Sequence, residues 1–175
     1  MIEAYPLLNW NKIWENLNNP YIGLREREFM FKYLHDRLPT NVRLNIMGIK
    51  NDSKCNFCND TEYPFHIFYF CDRVKSAFTW FKNSFYLMCK IESKDWLKLL
   101  MLDVKGKNKR DNNTAVFLIC NYLYCIWISR MQRMNEREIL NFVKGRFHYL
   151  RWMICNVYEK EIEKILTRAF LVFDF

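Results

Sequence analysis

The feature that most constrains this chain is the stretch CNFCNDTEYPFHIFYFC, residues 55–71, which sets Cys55, Cys58, His66 and Cys71 in the spacing C-x2-C-x7-H-x4-C. A C-x2-C pair presents two sulfurs from one tight backbone bend, and zinc takes four sulfur or nitrogen donors at tetrahedral corners. The spacing points to one structural Zn2+: three thiolates and a neutral imidazole fill every position, leave none open for catalysis and give the site a formal charge of −1. A redox pair or a disulfide is the competing reading of the same cysteines. No βαβ pattern follows Cys58 to support the first, and a disulfide is out of place in a reduced compartment.

Local pattern predicts how the donors converge. Thr61 is expected to cap a short helix with Pro64 in its first turn, where no intrahelical N–H bond is lost. His66 and Cys71 are five residues apart, about 140° around an ideal α-helix, so the helix is expected to loosen or tighten before Cys71. Glu62, four residues before His66, either orients the free imidazole nitrogen or places a favourable charge at the helix start.

The rest of the chain reads as helices, giving a mainly α fold: a single helical domain with a small CCHC zinc knuckle inserted between helices. Helical periodicity runs over Asn9–Leu17, over GLREREFMFKYLHD, from a Thr40 cap to a stop at Gly48, from Asp72 to about Leu87, in a short helix capped by Ser93, from Thr114 to Met131, and from an Asn135 capping box to about Tyr158, with a continuation towards Leu166. AFLVFDF at the end reads as a strand or a docked tail. The boundaries suggested are a zinc-binding region over 1–90 and a basic helical region over 91–175 packed on it. His35 and His148 read as core residues. The seven cysteines and the absence of a secretory pattern at the N-terminus suggest reduced thiols in an intracellular protein. The longest apolar run, Ala115–Ile128, falls short of the roughly 20 residues a membrane span needs, so no membrane partner is expected.

Charge narrows the partners. The formal net charge is +8. Residues 105–175 hold thirteen basic groups against seven acidic ones, whereas residues 51–104 balance. Such an excess favours RNA or DNA, although a solvated surface accounts for it equally well. Candidate phosphate contacts are Lys105, Lys107, Lys109 and Arg110 in the segment KGKNKRDNN, taken as a flexible loop, and a second cluster of Arg130, Arg133, Arg137, Lys144, Arg146 and Arg151, partly offset by Glu136 and Glu138. Arg137, Lys144 and Arg151 recur every seven residues and share one helix stripe. Tyr149 and Trp152 lie near enough to offer stacking surfaces if exposed, although aromatics at this spacing are more often core.

CNFCNDTEYPFHIFYFC, with Trp80 nine residues after Cys71, resembles the zinc-binding domain that follows the reverse transcriptase in polyproteins of non-LTR retrotransposons. IWENL and REREFMFKYLHDRLPTNVRLNIMGI upstream are similar to the same family, and the resemblance covers about residues 10–90. Tyr63 departs from the Thr or Ser usual there. The loop between Cys58 and His66 is also three residues longer than in retroviral-type knuckles, so their grip on single-stranded bases does not carry over. The resemblance implies Cys55, Cys58, His66 and Cys71 as ligands. It also implies a place beside a reverse transcriptase core in a parent polyprotein or as a free-standing descendant, nuclear and/or cytoplasmic, and a role in positioning template RNA or target DNA. It implies no catalysis: the paired aspartates of a polymerase and an endonuclease domain are not found. A zinc-stabilised protein–protein interaction module is the alternative, and oligomeric state stays open.

Overall fold

The computed structural model describes residues 8–89, 91 and 93–157, with side chains to Leu150. Helix accounts for 66% of the structure and no strand occurs among the described residues, so the chain is mainly α as its periodicity predicts. The helices are α1 (Trp10–Leu17), α2 (Leu24–Leu34), α3 (Asn41–Ile46), α4 (Lys75–Cys89), α5 (Trp96–Leu100), α6 (Lys109–Met131) and α7 (Glu136–Val157). A π-helical turn, His66–Phe70, and a 3-10 turn, Asp72–Val74, lie between α3 and α4.

Several ends follow from local chemistry. Asn9 caps α1 by accepting from the Lys12 N–H, and Thr40 caps α3 through Arg43. Asn135 and Glu138 form a reciprocal capping box at the start of α7. The C-termini of α2, α3, α5 and α6 all close with a left-handed residue: Asp36, Gly48, Leu102 and Arg133. In each, the next N–H reaches back five residues, as Ile49 does to the Leu44 carbonyl and Met134 to that of Ser129. This satisfies carbonyls the helix itself leaves open.

Several starts differ from expectation: α4 begins at Lys75, because Asp72–Val74 form a 3-10 turn, and not at Asp72. The α5 cap is Asp95, whose carboxylate accepts the Lys98 N–H, while Ser93 only braces Asp95. α6 begins at Lys109, not Thr114, because Asn108 accepts from the Asp111 N–H; Lys109 and Arg110 therefore stand in a helical first turn and not in a loop. His35 and His148 are both exposed rather than core residues; His35 lies against Trp14 and Phe31. The Leu166 continuation and the AFLVFDF tail lie outside the described residues.

α6 is the central post. Val116, Leu118, Ile119, Tyr122, Leu123 and Ile126 are buried around its whole circumference, against α2, α4, α7 and the π turn. Its length and composition would suit a membrane span. Here its apolar surface is spent on the core, as expected of a helix that is hydrophobic all round. Tyr122 stacks on Phe81 of α4 at 4.3 Å, and Phe81 meets Phe85, Trp96 and Phe147 edge-on or tilted. Each such buried ring contributes about 1.5–3 kcal/mol. One core cluster runs from Leu8 to Phe147 and includes Cys55 and Cys71. Buried polar side chains bind the front of the chain to this post: Asn16 donates to the Leu102 and Val104 carbonyls and accepts from Asn112, and Asn19 donates to the Asn113 carbonyl.

Candidate metal centre

The two halves of the cluster arrive by different routes. Residues 53–62 form a tight hairpin-like loop. Glu62 N–H donates to the Ser53 carbonyl, an isolated bridge pairs Lys54 with Thr61, and Cys55 N–H donates to the Asp60 carbonyl at 2.7 Å. Asn59 turns the chain with a φ of 64°, a left-handed conformation that asparagine tolerates better than most residues. Cys55 and Cys58 flank the bend.

His66 and Cys71 come from the π turn. Thr61 is engaged in the bridge, so the helical segment opens at Pro64, with Ile67 N–H donating to the Tyr63 carbonyl. The missing N–H of proline costs nothing at that position. The segment then loosens: Cys71 N–H donates to the His66 carbonyl at 2.8 Å, an i→i+5 closure. That is the adjustment the five-residue separation requires. A wider turn brings residue i+5 back over residue i, where an α-helix would swing it away.

All four donor atoms lie within 4.8 Å of one another. The Sγ atoms of Cys55 and Cys71 are 3.9 Å apart and those of Cys58 and Cys71 3.8 Å. A tetrahedron with Zn–S bonds of about 2.3 Å has edges of about 3.8 Å, so these two sulfur pairs sit at the right separation. Cys58 Sγ and His66 Nε2 are closer, at 3.2 Å. Cys55, His66 and Cys71 are buried and Cys58 half-buried, which shields the cluster from solvent. Burial pushes the Cys71 thiol up to about 12 and the Cys58 thiol in the same direction, and holds His66 below the usual histidine range. A divalent cation supplies the charge that stabilises thiolates in such a setting. The remaining buried cysteines, Cys89, Cys120 and Cys125, stand apart from the cluster; burial raises Cys89 and Cys125 to about 12 and Cys120 further, as befits inert core thiols.

Three side chains clamp this loop to the rear helices. Tyr122 of α6 donates its hydroxyl to the Phe68 carbonyl at 3.1 Å. Arg73, buried just after Cys71, lies 3.7 Å over the Phe57 ring and donates to the Met134 carbonyl. Glu62 accepts from Arg130 at 2.5 Å and from the Asn41 N–H at 2.9 Å. Glu62 is therefore not a hydrogen-bond partner of the imidazole, and the helix start its charge serves is that of α3 rather than that of the segment after Thr61; it joins α3 to α6. Nothing in the spacing of the sequence pairs residues 62 and 130, and Arg73 carries no motif.

The basic residues are divided. Lys105, Lys107, Lys109 and Arg110 are exposed at one end of α6, and Arg133 and Arg137 are exposed beyond the other, about 33 Å away along the helix. Lys144 is half-buried. Arg146 is ion-paired with Glu26 at 2.9 Å and lies over Tyr149, which is 50% exposed. The side chains of Arg151 and Trp152 lie outside the described residues.

Residues 3–80 match the family described as zinc-binding in reverse transcriptase. The match takes in α1 to α3, the hairpin loop and the π turn, and ends within α4. Together with the Cys/His cluster it supports a reverse-transcriptase-associated zinc-binding domain holding one structural zinc. That family is a zinc-binding accessory domain and not a catalytic one. No curated protein and no solved structure matches the chain.

Proposed function

We propose that this chain is a non-catalytic, zinc-stabilised nucleic-acid-binding domain of, or derived from, a non-LTR retrotransposon reverse transcriptase. In that role it positions template RNA or target DNA beside the polymerase core, inside the cell. The observation that carries the reading is the zinc cluster within a segment matched by a reverse-transcriptase family, attached to a strongly basic C-terminal third. Zinc clasped by Cys55, Cys58, His66 and Cys71 as a closed CCHC knuckle holds the loop on the helical core, and the exposed cations Lys105, Lys107, Lys109, Arg110, Arg133 and Arg137 supply phosphate contacts. Each phosphate neutralised on a single strand steepens the log–log salt dependence by about 0.7. Titration of labelled single-stranded RNA, single-stranded DNA and duplex DNA across salt concentration tests this. Affinity that falls with salt along a slope of several units supports it; no binding at low salt, or binding with no slope, refutes it.

One observation favours a protein-docking role as a second reading. Ile46, Met47 and Ile49 are 79%, 60% and 64% exposed, side by side at the end of α3. Such an apolar tip suits contact with a polymerase core.

A further inference from the structure

Beside the hairpin loop, between it and the α6–α7 corner, is a cleft of about 470 Å³ whose walls include Lys50, Asn56, Phe57, Glu62, Arg130 and Arg133. Clefts of about 300–1,000 Å³ hold ligands the size of a nucleotide. Three cations line this one against a single carboxylate, and that carboxylate is consumed by Arg130 and the Asn41 N–H. The charge left facing solvent comes from Lys50 and Arg133. Phe57 lines the cleft and is 45% exposed although Arg73 lies over one face of its ring. Asn56 adds an amide that engages only Lys50, at 3.3 Å. Arg133, the left-handed residue that closes α6, reaches the cleft with its exposed side chain.

We infer that this cleft is a subsite for one unpaired nucleotide of a single strand, its base on the Phe57 ring and its flanking phosphates on Lys50 and Arg133. The inference rests on the nucleic-acid reading above and gives it an address next to the zinc loop. The chemistry separates a base from an apolar peptide. A flat π-face stacks on an aromatic ring whatever its sequence, and paired cations suit phosphates rather than aliphatic side chains. A base inside a duplex does not fit, because both its faces are already stacked on its neighbours.

The test uses the full zinc-loaded chain and fluorescein-labelled 12-nucleotide RNA and DNA strands of one sequence, with blunt duplex of that sequence as competitor. Phe57→Ala is expected to weaken single-strand binding roughly five- to 150-fold, the range of one lost base stack. Phe57→Tyr, which keeps the ring, is expected to bind as the parent does. Lys50→Gln and Arg133→Gly are each expected to lower the salt slope by about 0.7, and Arg133→Gly also to raise the melting temperature by relieving the left-handed position. Zinc content and melting temperature of Phe57→Ala are measured alongside, so that loss of fold is recognised; if that variant unfolds, ultraviolet crosslinking of the parent decides, with an adduct on residues 50–57 supporting the subsite and adducts confined elsewhere overturning it. A loss on either RNA or DNA supports the subsite. Parental affinity in Phe57→Ala, with binding abolished instead by neutralising Lys105, Lys107, Lys109 and Arg110, overturns the subsite and leaves the nucleic-acid reading standing. Failure of the parent to bind any strand or duplex sinks both.

Discussion

Glu62→Ala isolates the brace between the zinc loop and α6. The Glu62 side chain is 4% exposed and that of Arg130 13%, so their 2.5 Å contact is largely shielded from water. Removing one member of a buried pair leaves the other charge uncompensated, at a cost of about 3–5 kcal/mol. Arg130 retains the Pro39 carbonyl and the Asn41 side chain at 3.3 Å each and borders an open cleft, so the lower end, about 3 kcal/mol, is expected. For a chain of this length that lowers the melting temperature by about 6–12 °C. The partner substitution shows whether charge is the cause. Glu62→Met with Arg130→Met replaces both groups by apolar side chains of similar reach, which is often neutral or stabilising. About 1 kcal/mol is expected to remain, for the Asn41 N–H that Glu62 also satisfied. The assay is urea unfolding followed by circular dichroism with zinc kept saturating, so that metal occupancy does not vary. A single-variant cost below about 1 kcal/mol, or a double variant as unstable as the single, refutes the buried-charge argument.

Two further substitutions probe the zinc loop and the turn into α6. Cys58→Ser is expected to lower bound zinc below one per chain and to raise amide hydrogen exchange across residues 50–85, because the hairpin loop and π turn meet at that cluster; parental zinc content and exchange would count against the site. Gly106→Ala places a methyl against the backbone of Asp111 and Asn112 in α6, a contact that no side-chain rotation relieves. A loss of at least about 1 kcal/mol is expected in the same urea assay, and an unchanged midpoint would mean the turn shifts freely.

The parts of this molecule legible in its sequence are those written in local chemistry. Asn9, Thr40 and Asn135 cap helices because their side chains reach N–H groups three residues ahead, and Gly48 stops α3 because only glycine takes a left-handed φ without cost. The H-x4-C spacing implies a departure from α geometry before Cys71, by loosening or tightening, once both residues are required on one face; the π turn is the loosened outcome. The same logic explains the errors. Thr61 resembles a cap, but its backbone is committed to Lys54, a pairing set by the Cys55–Cys58 bend. Asn108 outranks Thr114 as the start of α6 because the segment between them holds one acid and no apolar residue, so periodicity was silent there while the capping chemistry was not.

What stayed illegible is whatever couples residues far apart in the chain. A C-x2-C bend and a loosened turn bring four ligands together, yet they do not say what the assembled loop rests on. That is decided by Tyr122, Arg73 and Arg130, separated from their partners by 54, 61 and 68 residues. None of the three has a sequence signature, because a buried arginine and a surface arginine read alike. This limits the use of charge as a guide to function. Arg146, one of the basic candidates, is spent on Glu26 inside the fold. Arg133, one residue beyond the α6 cap, is instead held outward in a conformation that costs backbone energy. Counting lysines and arginines gives the same credit to both. Only three-dimensional partners separate cations that hold the protein together from cations left to hold something else, and on that criterion Arg130 and Arg146 belong to the first kind.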